Sequence, residues 1–299
     1  MASSRFLDEL RRRTLVCDGA MGTQLIARGL ASGECGVLWN VERREDVLAI
    51  HRAYRAAGCD LITTNTFGGS PSALARHGLE ERAVELNMAA ARLVAEAAGT
   101  WGFVLGDVGP FGDFLEPIGD TSVEQARDIF RRQIKGLLLG GSAAILVETM
   151  SDPAEVEVAV SAAREMGAPA VIATYAFQKS ADESFRTMMG NDVTDALRRA
   201  IAAGADVVGA NCGTSMTLED YLALARDLVT AAGEVPVILQ PNAGSPRIEG
   251  EQTVYDATPG DMAALVPRLL EAGVRVIGGC CGTTPAHLKA MSAAVAAAA

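Results

Sequence analysis

One phrase recurs along the chain: an amphipathic stretch ending in Ala-Gly or Gly-Gly, then a short unbroken apolar run, then a polar or glycine-rich tip. Four copies are Ala57-Gly58-Cys59-Asp60-Leu61-Ile62, Gly140-Gly141-Ser142-Ala143-Ala144-Ile145, Ala203-Gly204-Ala205-Asp206-Val207-Val208 and Ala272-Gly273-Val274-Arg275-Val276-Ile277. Glycine accepts the left-handed conformation that commonly follows a helix C-terminus. Continuous apolar runs mark parallel strands buried on both faces. Eight such strands are predicted, beginning near Thr14, Asp60, Phe103, Ala143, Ala170, Ala205, Val235 and Val274. Helices are predicted between them, among others over Arg43 to Ala57, Glu80 to Ala98, Val123 to Leu139 and Thr217 to Ala232. Eight strand–helix units predict an α/β fold of the (β/α)₈ TIM-barrel type, one domain over residues 1–299. A doubly wound sheet is the alternative, but no G-x-G-x-x-G follows the first strand. Gly29 to Asn40 reads as a loop crossing one end of the barrel. The Ala-rich stretch from Ala293 to Ala299 reads as the end of the last helix or a frayed terminus.

The formal net charge of −11 leaves no basic stripe to neutralise phosphates, which excludes nucleic acid as a partner. No leader and no membrane-spanning run of about 18 apolar residues is visible, so the expected location is the cytoplasm. Thiols stay reduced there, and six cysteines are then more readily inert, catalytic or metal-bound than disulfide-bonded.

Chemistry in a barrel sits at the C-terminal ends of its strands. His51, His77 and His287 all fall on predicted helices, so a histidine-ligated metal is not expected at the mouth. Of three lysines only Lys179 lies just past a strand, which disfavours a Schiff-base lysine on a strand. The thiols remain: Cys212 ends strand six, and Cys280-Cys281 ends strand eight. One strand separates them, so their sulfurs can converge in front of strand seven. Three thiolates with an open fourth position is the form of a catalytic zinc site, and sulfur ligands favour zinc over magnesium or manganese. Gly213, Gly278, Gly279 and Gly282 let the backbone turn sharply around such a site. Asn242, at the tip of strand seven, could fill the open position until substrate arrives. A redox-active Cys280-Cys281 pair is the competing reading. Cys17, Cys59 and Cys35 read as inert small hydrophobes.

The acidic tips suggest the ligand. Asp18 and Glu148, on strands one and four, could both hydrogen-bond an ammonium, although Asp18 could instead cap the following helix. The amides of Gly19-Ala20-Met21-Gly22-Thr23 form a turn entering a helix and suit a carboxylate. Together these describe an amino acid with a thiol side chain. Asp107, before Val-Gly-Pro, reads as shaping its turn.

Read in order, the tips resemble the homocysteine S-methyltransferase family. The matching stretches are Asp18 to Thr23, Thr64-Asn65-Thr66-Phe67-Gly68, Gly106 to Pro110, Glu148-Thr149, Asn211-Cys212-Gly213, Pro241-Asn242-Ala243-Gly244 and Gly278-Gly279-Cys280-Cys281-Gly282-Thr283-Thr284-Pro285. The resemblance implies a (β/α)₈ barrel with zinc on Cys212, Cys280 and Cys281. It further implies a homocysteine ammonium on Asp18 and Glu148, its carboxylate on the amides around Ala20 and Met21, and Asn211 and Asn242 on the substrate side. Betaine-dependent members carry Tyr after the strand-four Glu and a C-terminal extension; here Thr149 follows Glu148 and the chain stops soon after the barrel. The Asn242 motif and Arg186-Thr187-Met188-Met189-Gly190 look more like the homocysteine-binding barrel of cobalamin-dependent methionine synthases. The implied donor is methylcobalamin on a separate corrinoid-carrying protein, or else S-methylmethionine or S-adenosylmethionine. A non-catalytic zinc or corrinoid-partner module is the third possibility.

Overall fold

The computed structural model describes residues 4–100, 102–214, 216–249 and 252–298. Eight parallel strands form one sheet: β1 (Leu15–Val16), β2 (Leu61–Thr63), β3 (Phe103–Val108), β4 (Ala144–Met150), β5 (Val171–Tyr175), β6 (Val207–Asn211), β7 (Val237–Gln240) and β8 (Val276–Ile277). Their order is β1-β8-β7-β6-β5-β4-β3-β2. A parallel bridge between Cys17 and Leu61 brings β1 back to β2, and the Asp18 amide donates to the Leu61 carbonyl at 3.0 Å. The sheet is therefore a (β/α)₈ barrel, with every predicted strand in place.

The helices end as the glycine pattern requires. Gly58, Gly141, Gly204 and Gly273 all have φ between 96° and 112°, the left-handed region where a side chain would be strained. The helices over Arg44–Ala56, Val123–Leu139 and Leu218–Ala232 match the sequence reading, and Ala83–Ala98 follows a 3₁₀ turn at Glu80–Arg82. Two expectations need correction. Gly29 to Asn40 is not all loop: Gly36–Leu38 is a 3₁₀ turn leading into a helix at Trp39–Glu42, where Trp39 is buried and Asn40 bonds the Asn65 carbonyl. His77 lies in a turn after the short helix Pro71–Ala75 rather than on a helix, because Gly78 follows at φ 67°. The last helix runs to Ala298; Ala299 lies outside the described residues.

Alternation along each strand divides the core in two. Leu15, Cys17, Leu61, Phe103, Leu105, Ala144, Leu146, Ile172, Val207, Ile238 and Val276 fill the barrel interior. Their neighbours, such as Val16, Ile62, Val104, Ile145, Val147, Val208 and Leu239, face the helices. The first helix, Arg5–Arg12, adds Phe6 and Leu10 to the interior cluster. Phe6 meets Phe103 edge-on with centroids 5.9 Å apart, plugging the N-terminal end. Chemistry is left to the opposite end. No described helix is long and apolar enough to cross a membrane.

Candidate active site

The period-two rule that fills the interior also selects what lines the mouth. Moving up two residues from the last apolar layer gives Thr63 after Leu61, Asp107 after Leu105, Glu148 after Leu146, Asn211 after Gly209 and Gln240 after Ile238. Thr63, Asp107, Glu148 and Gln240 line a cavity of about 430 Å³ together with Ala20, Met21, Thr149, Cys212, Cys280 and Cys281.

Cys212, Cys280 and Cys281 come together as the sequence predicts. Their sulfurs all lie within 4.8 Å of one another, with Cys212 to Cys281 at 3.9 Å and Cys280 to Cys281 at 4.0 Å. Tetrahedral zinc with zinc–sulfur bonds of about 2.3 Å holds its sulfurs roughly 3.8 Å apart, so the donor set fits the metal without rearrangement. Among the described residues no other group of three or more His, Cys, Asp or Glu is drawn together in this way. Hydrogen bonds from Cys212, Cys280 and Tyr255 hold the Cys281 thiol down, to about 3. Cys280 is pushed well up because it donates to its neighbours. The trio thus has one preferred thiolate before any ion arrives.

Backbone strain places these sulfurs. Cys212 and Thr149 stand at the tips of β6 and β4 with φ 55° and 58°, unfavourable for residues with a side chain. Asn211 ties the two tips together. Its Oδ1 accepts from the Thr149 amide at 3.0 Å and the Thr174 hydroxyl at 2.8 Å, and its Nδ2 donates to Thr149 Oγ1 at 2.6 Å and to Cys280 Sγ at 3.7 Å. Asn211 itself is buried and does not line the cavity. Asn242 is also buried: its Nδ2 donates to the Gly213 carbonyl at 3.1 Å, and its Oδ1 has no hydrogen-bond partner.

The carboxylates divide. Asp18 does not cap the next helix. Its oxygens accept from the Thr63 amide at 2.9 Å and the Thr63 hydroxyl at 2.7 Å, and burial still pushes its pKa up to about 7. Glu148 lines the cavity, and burial, Asp18 and Cys281 push it up to about 8. The Ala20 amide is taken by Thr283 Oγ1 at 3.1 Å. The helix Met21–Ile26 begins immediately after it, with first-turn amides that have no partner inside the helix.

Three features of the mouth escape the sequence reading. Thr149 and Thr174 enter through Asn211. Asp107 faces the cavity instead of shaping a turn. Tyr255 arrives on a hairpin, Pro246–Glu249 with Gln252–Tyr255, and its ring packs over Gly282, where a side chain would begin 2.2 Å from the ring. The parity of β3 could have found Asp107. Nothing local marks Tyr255, because its contact depends on where the hairpin folds back.

The mouth of this barrel therefore gathers three thiols, a soft donor set, beside buried carboxyl groups. The particular assignment comes from comparison. The sequence model of the homocysteine S-methyltransferase family matches residues 15–295, and the chain belongs to that family. It is 38% identical over 306 aligned positions to methionine synthase of Mycobacterium tuberculosis, covering 97% of this chain and 25% of that protein. The methionine synthase of Mycobacterium leprae is 36% identical over the same span. The chain thus spans about a quarter of the length of these curated relatives. Among solved structures it matches the metallated form of the homocysteine methyltransferase MmuM from Escherichia coli. That match has a TM-score of 0.76 and 26% identity, covering 97% of this chain and 98% of that one.

Proposed function

We propose that this chain transfers a methyl group to the thiol of homocysteine, giving methionine, with zinc held by Cys212, Cys280 and Cys281. The observation that carries the reading is the convergence of three sulfurs within 4.8 Å in a cavity that Asp107 and Glu148 also line. The sulfurs suit a thiol and the carboxyl groups an ammonium. When bound, zinc supplies a Lewis acid that keeps an acceptor thiol deprotonated at neutral pH, where a free thiol near pKa 8.5 is mostly protonated.

The chain's own groups do the rest. Glu148, with Asp18 behind it, holds the substrate ammonium, and their raised pKa values are those of carboxyl groups awaiting a cation. The first-turn amides from Met21 onward take the substrate carboxylate; the Ala20 amide orients that turn through Thr283. Asn211 holds the Thr149 and Cys212 tips and so positions the sulfurs. Asn242, whose buried Oδ1 has no partner, would offer a neutral oxygen to the metal before substrate binds. In the transfer the acceptor sulfur forms a bond to the methyl carbon as the donor's bond to that carbon breaks, and the thiol proton is lost to solvent.

The donor we favour is a methyl-corrinoid. The Asn242 and Arg186 to Gly190 motifs support it, as does the likeness to one quarter of proteins named methionine synthase. S-methylmethionine or S-adenosylmethionine is the second reading. Sulfur separations of 3.9 and 4.0 Å fit metal ligation. The test is to incubate the zinc-loaded protein with homocysteine and, separately, methylcobalamin, S-methylmethionine and S-adenosylmethionine, and to measure methionine. Production with one donor supports the reading; no methionine with any of them sinks it.

A further inference from the structure

We infer that Asp107, at the tip of β3, directly accepts a hydrogen bond from the substrate ammonium and forms with Glu148 the carboxylate pair that selects α-amino thiols. The inference rests on the functional reading above and assigns a residue to it. Three observations carry it.

The first is position. Asp107 and Glu148 stand at the inward-facing tips of the neighbouring strands β3 and β4, Asp107 in register with Leu146 and Glu148 two residues further along, and both line the cavity. Asp18, by contrast, does not line the cavity, and each of its oxygens is engaged by Thr63.

The second is the contrast within Asp107. Its backbone is fixed from both sides: the amide donates to Thr64 Oγ1 at 2.9 Å, and the carbonyl accepts from Thr66 Oγ1 at 2.7 Å and Gln133 Nε2 at 3.2 Å. Its carboxyl Oδ1 is buried with no partner, although the residue is only 2% exposed. A buried, unpartnered carboxyl oxygen costs stability in the free protein. The carboxyl group that carries it lines the cavity on a firmly held strand end, as expected of a group whose partner is a ligand.

The third is charge. Among the described residues no lysine, arginine or histidine lines the cavity, while the carboxyl groups that act on Asp107 are those of Glu148 and Asp18. Burial and these two neighbours push Asp107 well above the usual carboxyl range. Such a set attracts a cation. The ammonium of an amino acid, with three N–H donors, can satisfy both cavity-facing carboxylates at once.

Calorimetric titration of the zinc-loaded protein with L-homocysteine and with 4-sulfanylbutanoate, the same thiol acid lacking the amino group, tests this. Asp107→Asn keeps the shape of the residue. It should raise the homocysteine Kd about ten- to hundredfold, the loss expected for one charge-assisted hydrogen bond, and leave the 4-sulfanylbutanoate Kd within about twofold. Binding of the des-amino ligand also reports that the variant is folded with its cavity intact. An unchanged homocysteine Kd, or equal weakening of both ligands, would overturn the role of Asp107 while leaving the functional reading standing. Failure of the unsubstituted protein to bind homocysteine would overturn both.

Discussion

Asn211 Nδ2 reaches the sulfur of Cys280 across 3.7 Å, joining the tips of β6 and β8 between residues 69 apart in the chain. The same amide satisfies Thr149 and Thr174, so one side chain sets both the strained β4 tip and one sulfur. Asn211→Ala should lower unfolding free energy by about 1–3 kcal/mol, because it leaves buried partners unsatisfied. It should also weaken zinc retention against a chelator. Equal zinc dissociation rates in variant and parent would remove Asn211 from the metal's support.

Cys281 carries the lowest thiol pKa of the three, and both other sulfurs lie close to it. Cys281→Ala should abolish zinc binding and methionine formation together. Metal content measured by mass spectrometry decides the matter: one zinc per chain with full turnover would refute the three-thiolate site.

For Glu148 the prediction separates binding from chemistry. Glu148→Ala should chiefly raise the homocysteine KM, because the group holds the ammonium and not the reacting sulfur. Steady-state kinetics over a homocysteine series measures the change. An unchanged KM would place the ammonium elsewhere.

The raised pKa of Asp18 predicts a pH dependence with a definite sign. The folded state binds this proton more tightly than the unfolded state, whose carboxyl titrates near 3.8. The contribution to stability is full below about 4 and is lost as pH rises through about 7. Urea unfolding of the ligand-free protein between pH 4 and 8 should therefore show a steeper fall for the parent than for Asp18→Asn, by on the order of a few kcal/mol across the range. Parallel curves for the two proteins would contradict the assignment.

Gly282 follows the thiol pair at φ 79°, and a methyl there would begin 2.2 Å from the Tyr255 ring. Gly282→Ala should cost about 1–3 kcal/mol from the left-handed backbone and a comparable amount from overpacking. Because Tyr255 also hydrogen-bonds Cys281, zinc affinity should fall as well. A variant with the parent's urea midpoint and zinc affinity would show that the hairpin does not brace the site.

Pattern and spacing along the chain were enough to specify the barrel and most of its mouth. Uninterrupted apolar runs need burial on both faces, the glycines after each helix need a left-handed backbone, and strand order then puts Cys212 and Cys280-Cys281 on either side of Asn242. Those are local and periodic constraints, and periodicity survives in one dimension. Which polar groups are satisfied emerged from the folded arrangement. It turned Asp18 toward Thr63, left Asp107 Oδ1 and Asn242 Oδ1 without partners, and made Asn211 a brace between strand tips. It also brought Tyr255 over Gly282 from a hairpin that carries no strand-tip signal. Hydrogen-bond satisfaction depends on atoms that are distant in sequence and ångströms apart in space, and no spacing along the chain encodes that distance.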